Sequence, residues 1–159
     1  ASIDAQVASI INKFTIAGGD LRFVLGAVKI AATLERAADK VKNCIKRLSR
    51  ISHPMDATIR TELTHAIHAL AEMLPLSTVQ LLDYTPEVAQ ALLTHGTNVQ
   101  KAYRNVLLRL HAHQSSADDE THILLVAKNI DQTADMLVEI MKICHVIHYA
   151  TKYDKRANQ

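Results

Sequence analysis

GGDLRFVLGAVKIAATLERAADKVKNCIKRLSR, running from Gly18 to Arg50, decides the fold. Gly18-Gly19 punctuates its start, and Asp20 stands where a carboxylate can accept the first free N–H groups of a helix. No Gly or Pro follows from Val28 to Arg50. One helix is therefore expected over residues 20–50, roughly 46 Å long at about 1.5 Å per residue and far beyond the usual length of about 11 or 12 residues. A helix of that length belongs to an extended bundle.

Working outward, the same punctuation sets the remaining elements. Ser52-His53-Pro54 ends the first stretch, and a second helical pattern covers Asp56 to Tyr84 with a kink expected at Pro75. Thr85-Pro86 marks the next boundary. A third pattern runs from Pro86 to about Gln114, interrupted near His95-Gly96, and a polar turn over residues 114–118 caps a last helix from about Asp119 to Tyr149. The polar end Lys152-Tyr153-Asp154-Lys155-Arg156 reads as a fraying tail. Only 4 Gly and 3 Pro occur among 159 residues, with 48% apolar and 21% charged, so the composition predicts an all-α globular chain and excludes disorder.

An internal repeat organises these helices. Shifted by 96 positions, Ile3, Val7, Ile10, Ile11 and Phe14 fall on Val99, Tyr103, Val106, Leu107 and Leu110. Without a gap, Ala31, Leu34, Glu35, Ala38, Asp39, Val41 and Lys46 then fall on Ala127, Ile130, Asp131, Ala134, Asp135, Leu137 and Lys142. Apolar period and acidic pair stay in register, as expected of a duplicated three-helix unit. The expected division is residues 1–52 for an incomplete first repeat (the end of its middle helix, Ser2 to Phe14, plus its long last helix), 53–154 for a second, whole repeat, and 155–159 for a tail. By the same shift, copy one would begin about 42 residues before Ala1.

On a helical wheel of the first long helix, Leu21, Val24, Leu25, Val28, Ala31 and Ala32 define an apolar arc, and Glu35 and Asp39 fall inside it. Carboxylates at i and i+4 are neighbours and repel. Glu35 has no cation at i±3 or i±4; in the second copy Asp131 has Lys128, whereas Asp135 has none. A bound metal is one way to offset the repulsion, since carboxylate oxygens suit iron, manganese, magnesium or calcium. A cross-helix salt bridge or a solvated face is the other.

The residues around these pairs resemble a known family. Asp20-Leu21-Arg22 followed by Ala31-Ala32-Thr33-Leu34-Glu35-Arg36-Ala37-Ala38-Asp39 resembles the first signature of the PhoU family of bacterial phosphate-uptake regulators, and Ala127-Lys128-Asn129-Ile130-Asp131-Gln132-Thr133-Ala134-Asp135 its second. The likeness runs from Ser2 to about Tyr149. It implies a tandem repeat of three-helix bundles, the first lacking its first helix and most of its second. It also implies metal ions at the acidic motifs, iron foremost, with zinc, manganese or magnesium as other candidates: Glu35 and Asp39 at one site, Asp131 and Asp135 at the other. The implied role is non-enzymatic regulation of phosphate uptake and signalling through a phosphate transporter's ATPase subunit and a sensor histidine kinase, with membrane association only through such partners.

Two readings compete with that role. One is a carboxylate-bridged metal enzyme or iron store; the other is a soluble PhoU-like domain of a sodium-phosphate cotransporter. A ferritin-like site needs Glu-x-x-His on facing helices, and Glu62-x-x-His65 is the only match. Apart from that Glu62 match, the pairs His65/His68 and His145/His148 are read as surface or core-edge histidines. Lys42, Lys46, Arg47 and Arg50 suit a helix C-terminal dipole. A net charge of +2, 2 Phe, 4 Tyr and no Trp argue against nucleic-acid binding. Cys44 and Cys144 read as core thiols of a cytoplasmic protein, and no run of 18 apolar residues suggests a membrane span. An apolar arc left open by an incomplete bundle predicts a homo-oligomer.

Overall fold

A computed structural model of the chain describes residues 5–6, 8–9, 19–112 and 116–157. It is all-α, with four long helices: α1 (Gly19–Leu48), α2 (Ala57–Leu82), α3 (Pro86–Ala112) and α4 (Ala117–Ala157). Of the helix expected over Ser2 to Phe14, residues 5, 6, 8 and 9 are helical and the others lie outside the described residues.

Several boundaries have a local cause. Asp56 caps α2, its carboxylate accepting from the N–H groups of Thr58 (2.9 Å) and Ile59 (3.1 Å). The α2–α3 turn is closed from inside by buried Gln80, whose side-chain amide donates to the Thr85 carbonyl at 2.8 Å. Ser116 caps α4, its hydroxyl accepting from the Asp119 N–H at 3.3 Å.

Several expectations need correction. The break near His95-Gly96 does not occur: α3 is continuous, and Gly96 is the point where a Cβ would already touch Val138 of α4 and Met73 of α2 at 3.4 and 3.7 Å. α2 runs through Pro75 as one helix, in agreement with the reading that placed this proline inside it, although proline offers no N–H to the carbonyl four residues earlier. The polar stretch Lys152 to Arg156 is not a separate tail but lies in α4, which extends to Ala157, so the expected tail at 155–159 is helical to that residue.

α2, α3 and α4 pack against one another, while among the four described helices α1 packs against α4 and not against α2 or α3. Contacts at the ends fix the directions. Arg109 of α3 donates to Asp56 at the start of α2 (3.1 and 3.3 Å) and Asn105 to Glu62 (3.0 Å), so α2 and α3 are antiparallel. Ser52 and His53, just before α2, bind Asp119 at the start of α4, while Tyr84, just after α2, meets His145 near its far end, so α2 and α4 are parallel. Gly26 lies against Ile143 and Ile147, and the Cys44 thiol lies 3.7 Å from the Val126 carbonyl, so α1 is antiparallel to α4. The core of the three-helix unit includes Ile59, Met73, Leu92, Val99, Val106, Leu137 and Ile140, all essentially inaccessible to water. Each such side chain contributes about 1.5–3 kcal/mol by leaving water.

Candidate functional site

α1 has one buried face, made by Gly26, Ile30, Thr33, Ala37 and Cys44. This is not the apolar arc read from the sequence. Leu21, Val24, Val28 and Ala31 of that arc are only half-buried, and Leu25 and Ala32 are exposed. The seam with α4 is built from small side chains because they let two long helices approach closely. At Gly26 an added Cβ would lie 3.0 Å from Cγ1 of Ile147 and collide with its Cδ1.

Carried forward by 96 positions, the buried face of α1 becomes His122, Val126, Asn129, Thr133 and Ile140, every one of them buried in α4. α4 has a second buried sector: Ile123, Ala127, Ile130, Ala134, Leu137, Met141 and Cys144, the side left for α2 and α3. Its counterpart on α1 is Ala27, Ala31, Leu34, Ala38, Val41, Ile45 and Leu48. None of these is buried, and Ile45 is 65% exposed. The stripe that α4 covers with two helices is thus open on α1. Its first half forms one wall of an apolar groove of about 590 Å³, closed on the other sides by Leu81, Tyr84, Cys144 and Ile147.

The acidic pairs lie apart from that stripe. Glu35 and Asp39 are exposed, on the side of α1 opposite its buried face. Asp131 is half-buried and Asp135 exposed. Burial first, and the Asp135 carboxylate second, push the Asp131 carboxyl above its usual range, against a smaller opposing pull from Arg104 of α3. Each pair offers two carboxylates. Among the described residues no three His, Cys, Asp or Glu side chains converge as a metal site. Alone, these residues do not fit a closed ligand shell, and further oxygen ligands would have to come from outside them.

Several other polar residues are engaged structurally. Glu62 accepts from Asn105, so the lone Glu-x-x-His match serves the α2–α3 contact. His65 and His68 are exposed on α2. His145 and His148 join Tyr84 and Tyr149 in a ring cluster with centroids 4.5–6.1 Å apart, and Nδ1 of His145 lies 2.9 Å from the Tyr84 hydroxyl. That cluster pins the end of α2 to α4.

The sequence reading missed Asp119. Its side chain is 5% exposed and accepts from the N–H of Ser52 (2.9 Å), the N–H of His53 (3.2 Å) and the His53 ring (2.7 Å). The Ser52 amide foremost, then the His53 ring, hold this carboxyl below the usual carboxylate range. It clasps the α1–α2 connection to the start of α4.

Over 129 residues the chain is 29% identical to a phosphate-specific transport system accessory protein PhoU homolog of Rhizobium meliloti (strain 1021), covering 76% of the chain and 53% of that protein. The chain is similar to PhoU homologs over most of its length. The PhoU homolog of Caulobacter vibrioides (strain NA1000 / CB15N) is also 29% identical, over 136 residues covering 79% of the chain and 57% of the homolog. The chain spans about half the length of these curated PhoU relatives. No family model matches it, and no solved structure does. No helix among the described residues is long and apolar enough to cross a membrane.

Proposed function

We propose that the chain is a non-catalytic accessory component of phosphate transport. It restrains uptake and phosphate-responsive signalling by contacts with the transporter's ATPase subunit and a sensor histidine kinase. The observation that carries this reading is the 29% identity to PhoU homologs over more than three quarters of the chain. Long helical faces suit the role, because they offer extended surfaces to helices of other proteins.

The same reading makes α1 the last helix of a first three-helix unit within residues 1–52 and α2 to α4 the whole second unit within 53–154. The open stripe from Ala27 to Leu48 then receives a helical pair as α4 receives α2 and α3. Without that pair, a second copy covers it and the chain self-associates. Metal at Glu35/Asp39 or Asp131/Asp135 belongs to this reading as a proposal, and it requires ligands from beyond each pair.

Deleting the gene in its host, with phosphate plentiful, tests the role. Phosphate uptake and a phosphate-starvation reporter are expected to rise together and to fall on complementation. Unchanged uptake and an unchanged reporter would remove the reading.

A further inference from the structure

The cations of α1 fall into two groups, with Lys42 and Lys46 in the sector of Glu35 and Asp39. Glu35 and Asp39 face away from α4, whereas Arg22, Lys29, Arg36, Lys40 and Arg47 recur at spacings of seven, seven, four and seven. Those spacings keep the five cations within a strip about 40° wide, beside the buried face and on the opposite flank from the apolar stripe. At about 1.5 Å per residue the strip is roughly 38 Å long. α4 adds Lys142 across the seam, and the acid beside it, Glu139, is paired with Arg36 at 3.4 Å.

The strip borders a groove. Near Arg22, Lys29 and Lys142 a cleft of about 350 Å³ opens over Gly26, with Leu25 and Val146 on its walls. Leu25 is 48% and Val146 60% exposed. Cations on one line with an apolar shelf beside them, along a furrow between two antiparallel helices, match a third helix more closely than a flat bilayer. A rod can place an acid against each cation turn by turn, and its apolar face can enter the furrow.

We propose that the α1–α4 seam docks an acidic amphipathic helix of a partner protein, with Glu or Asp at heptad-like spacing against Arg22, Lys29, Arg36 and Lys40, and Leu-like residues on Leu25 and Val146. This docking does not depend on the phosphate role. A chain that binds such a helix yet leaves uptake untouched keeps this proposal and loses the other, and the converse also holds.

The test is fluorescence anisotropy of the whole chain with a labelled 28-residue peptide carrying Glu in heptad register beside a Leu face. Expected is saturable binding that weakens with salt, because exposed ion pairs are screened. Lys29→Glu/Lys40→Glu should weaken binding about tenfold and the milder Arg22→Gln/Lys29→Gln about threefold, while Lys101→Glu on α3 leaves it unchanged. Helical circular dichroism checks that each variant is folded. Absent binding, or equal weakening by Lys101→Glu, would overturn the proposal. So would wild-type protein that ignores the peptide but sediments with vesicles of 30% phosphatidylserine.

Discussion

Leu137 and Val41 are the same position in the 96-residue register, yet one is 1% and the other 42% exposed, so truncating each to alanine measures what covers the stripe. Leu137→Ala removes three buried carbons at about 0.8 kcal/mol each and leaves a cavity, for about 3–4 kcal/mol in all. Val41→Ala removes two carbons that are already partly wet and leaves no cavity. Alanine's better helix propensity offsets part of that, leaving a cost of about 0.5 kcal/mol. Urea unfolding followed by circular dichroism separates the two. With a slope of about 2 kcal/mol/M, the midpoint should fall by about 1.5–2 M for Leu137→Ala and by about 0.3 M for Val41→Ala. At low micromolar protein the contrast should be full. If copies associate through the stripe, the Val41 effect should grow towards 100 µM while the Leu137 effect stays fixed, because only the former is coupled to protein concentration. Equal midpoint shifts at both concentrations would refute the reasoning, since the stripe would then be covered within a single chain.

Two aspartates of α4 should titrate with opposite sign. Asp119, whose carboxyl is held low, contributes stability that is present above its unfolded value near 3.8 and lost as pH falls through its native value; Asp119→Asn should flatten stability-versus-pH curves below about pH 4. Asp131, whose carboxyl is pushed up, stabilises the fold below 3.8 and loses that effect as pH rises through its native value, so Asp131→Asn should raise the urea midpoint at pH 7. At the α1–α4 seam, Gly26→Ala should be nearly neutral, because better helix propensity offsets displacement of the flexible end of Ile147. Gly26→Leu should lower Tm by about 3–10 °C through overpacking. For the acidic pairs, elemental mass spectrometry of protein purified without chelator should show near-stoichiometric metal, lost in Glu35→Ala/Asp39→Ala or in Asp131→Ala/Asp135→Ala. Equal trace metal in all three samples removes the metal proposal.

Helix existence was legible because Gly and Pro are scarce, and Gly19, Pro54 and Pro86 stand at helix starts or in the connection between helices. Gly96 misled because packing against α2 and α4 overrode its local preference, whereas Pro75 lies inside α2 as expected. The buried face of α1 was illegible for a related reason. A hydrophobicity wheel rewards Leu and Val, whereas a close helix–helix seam selects Gly, Ala, Thr and Cys, which carry little apolar signal. The acidic pairs stood out by spacing, but spacing along one helix cannot reveal what a neighbouring helix supplies. Arg104 beside Asp131 and the Ser52–His53–Asp119 clasp join residues far apart in the chain.

Cys44 sits on the α1–α4 seam, 8% exposed, its thiol pushed above the ordinary range by burial despite the nearby Lys40 cation. As a thiol, it is a poor nucleophile wherever it stays covered. An alkylating reagent must therefore wait for α1 to lift from α4, and when reclosing is fast its labelling rate is the intrinsic rate multiplied by the open fraction. Because α1 can leave without dismantling α2, α3 and α4, that rate acts as a clock for a single hinge-like event, and any partner that clamps the seam should slow it.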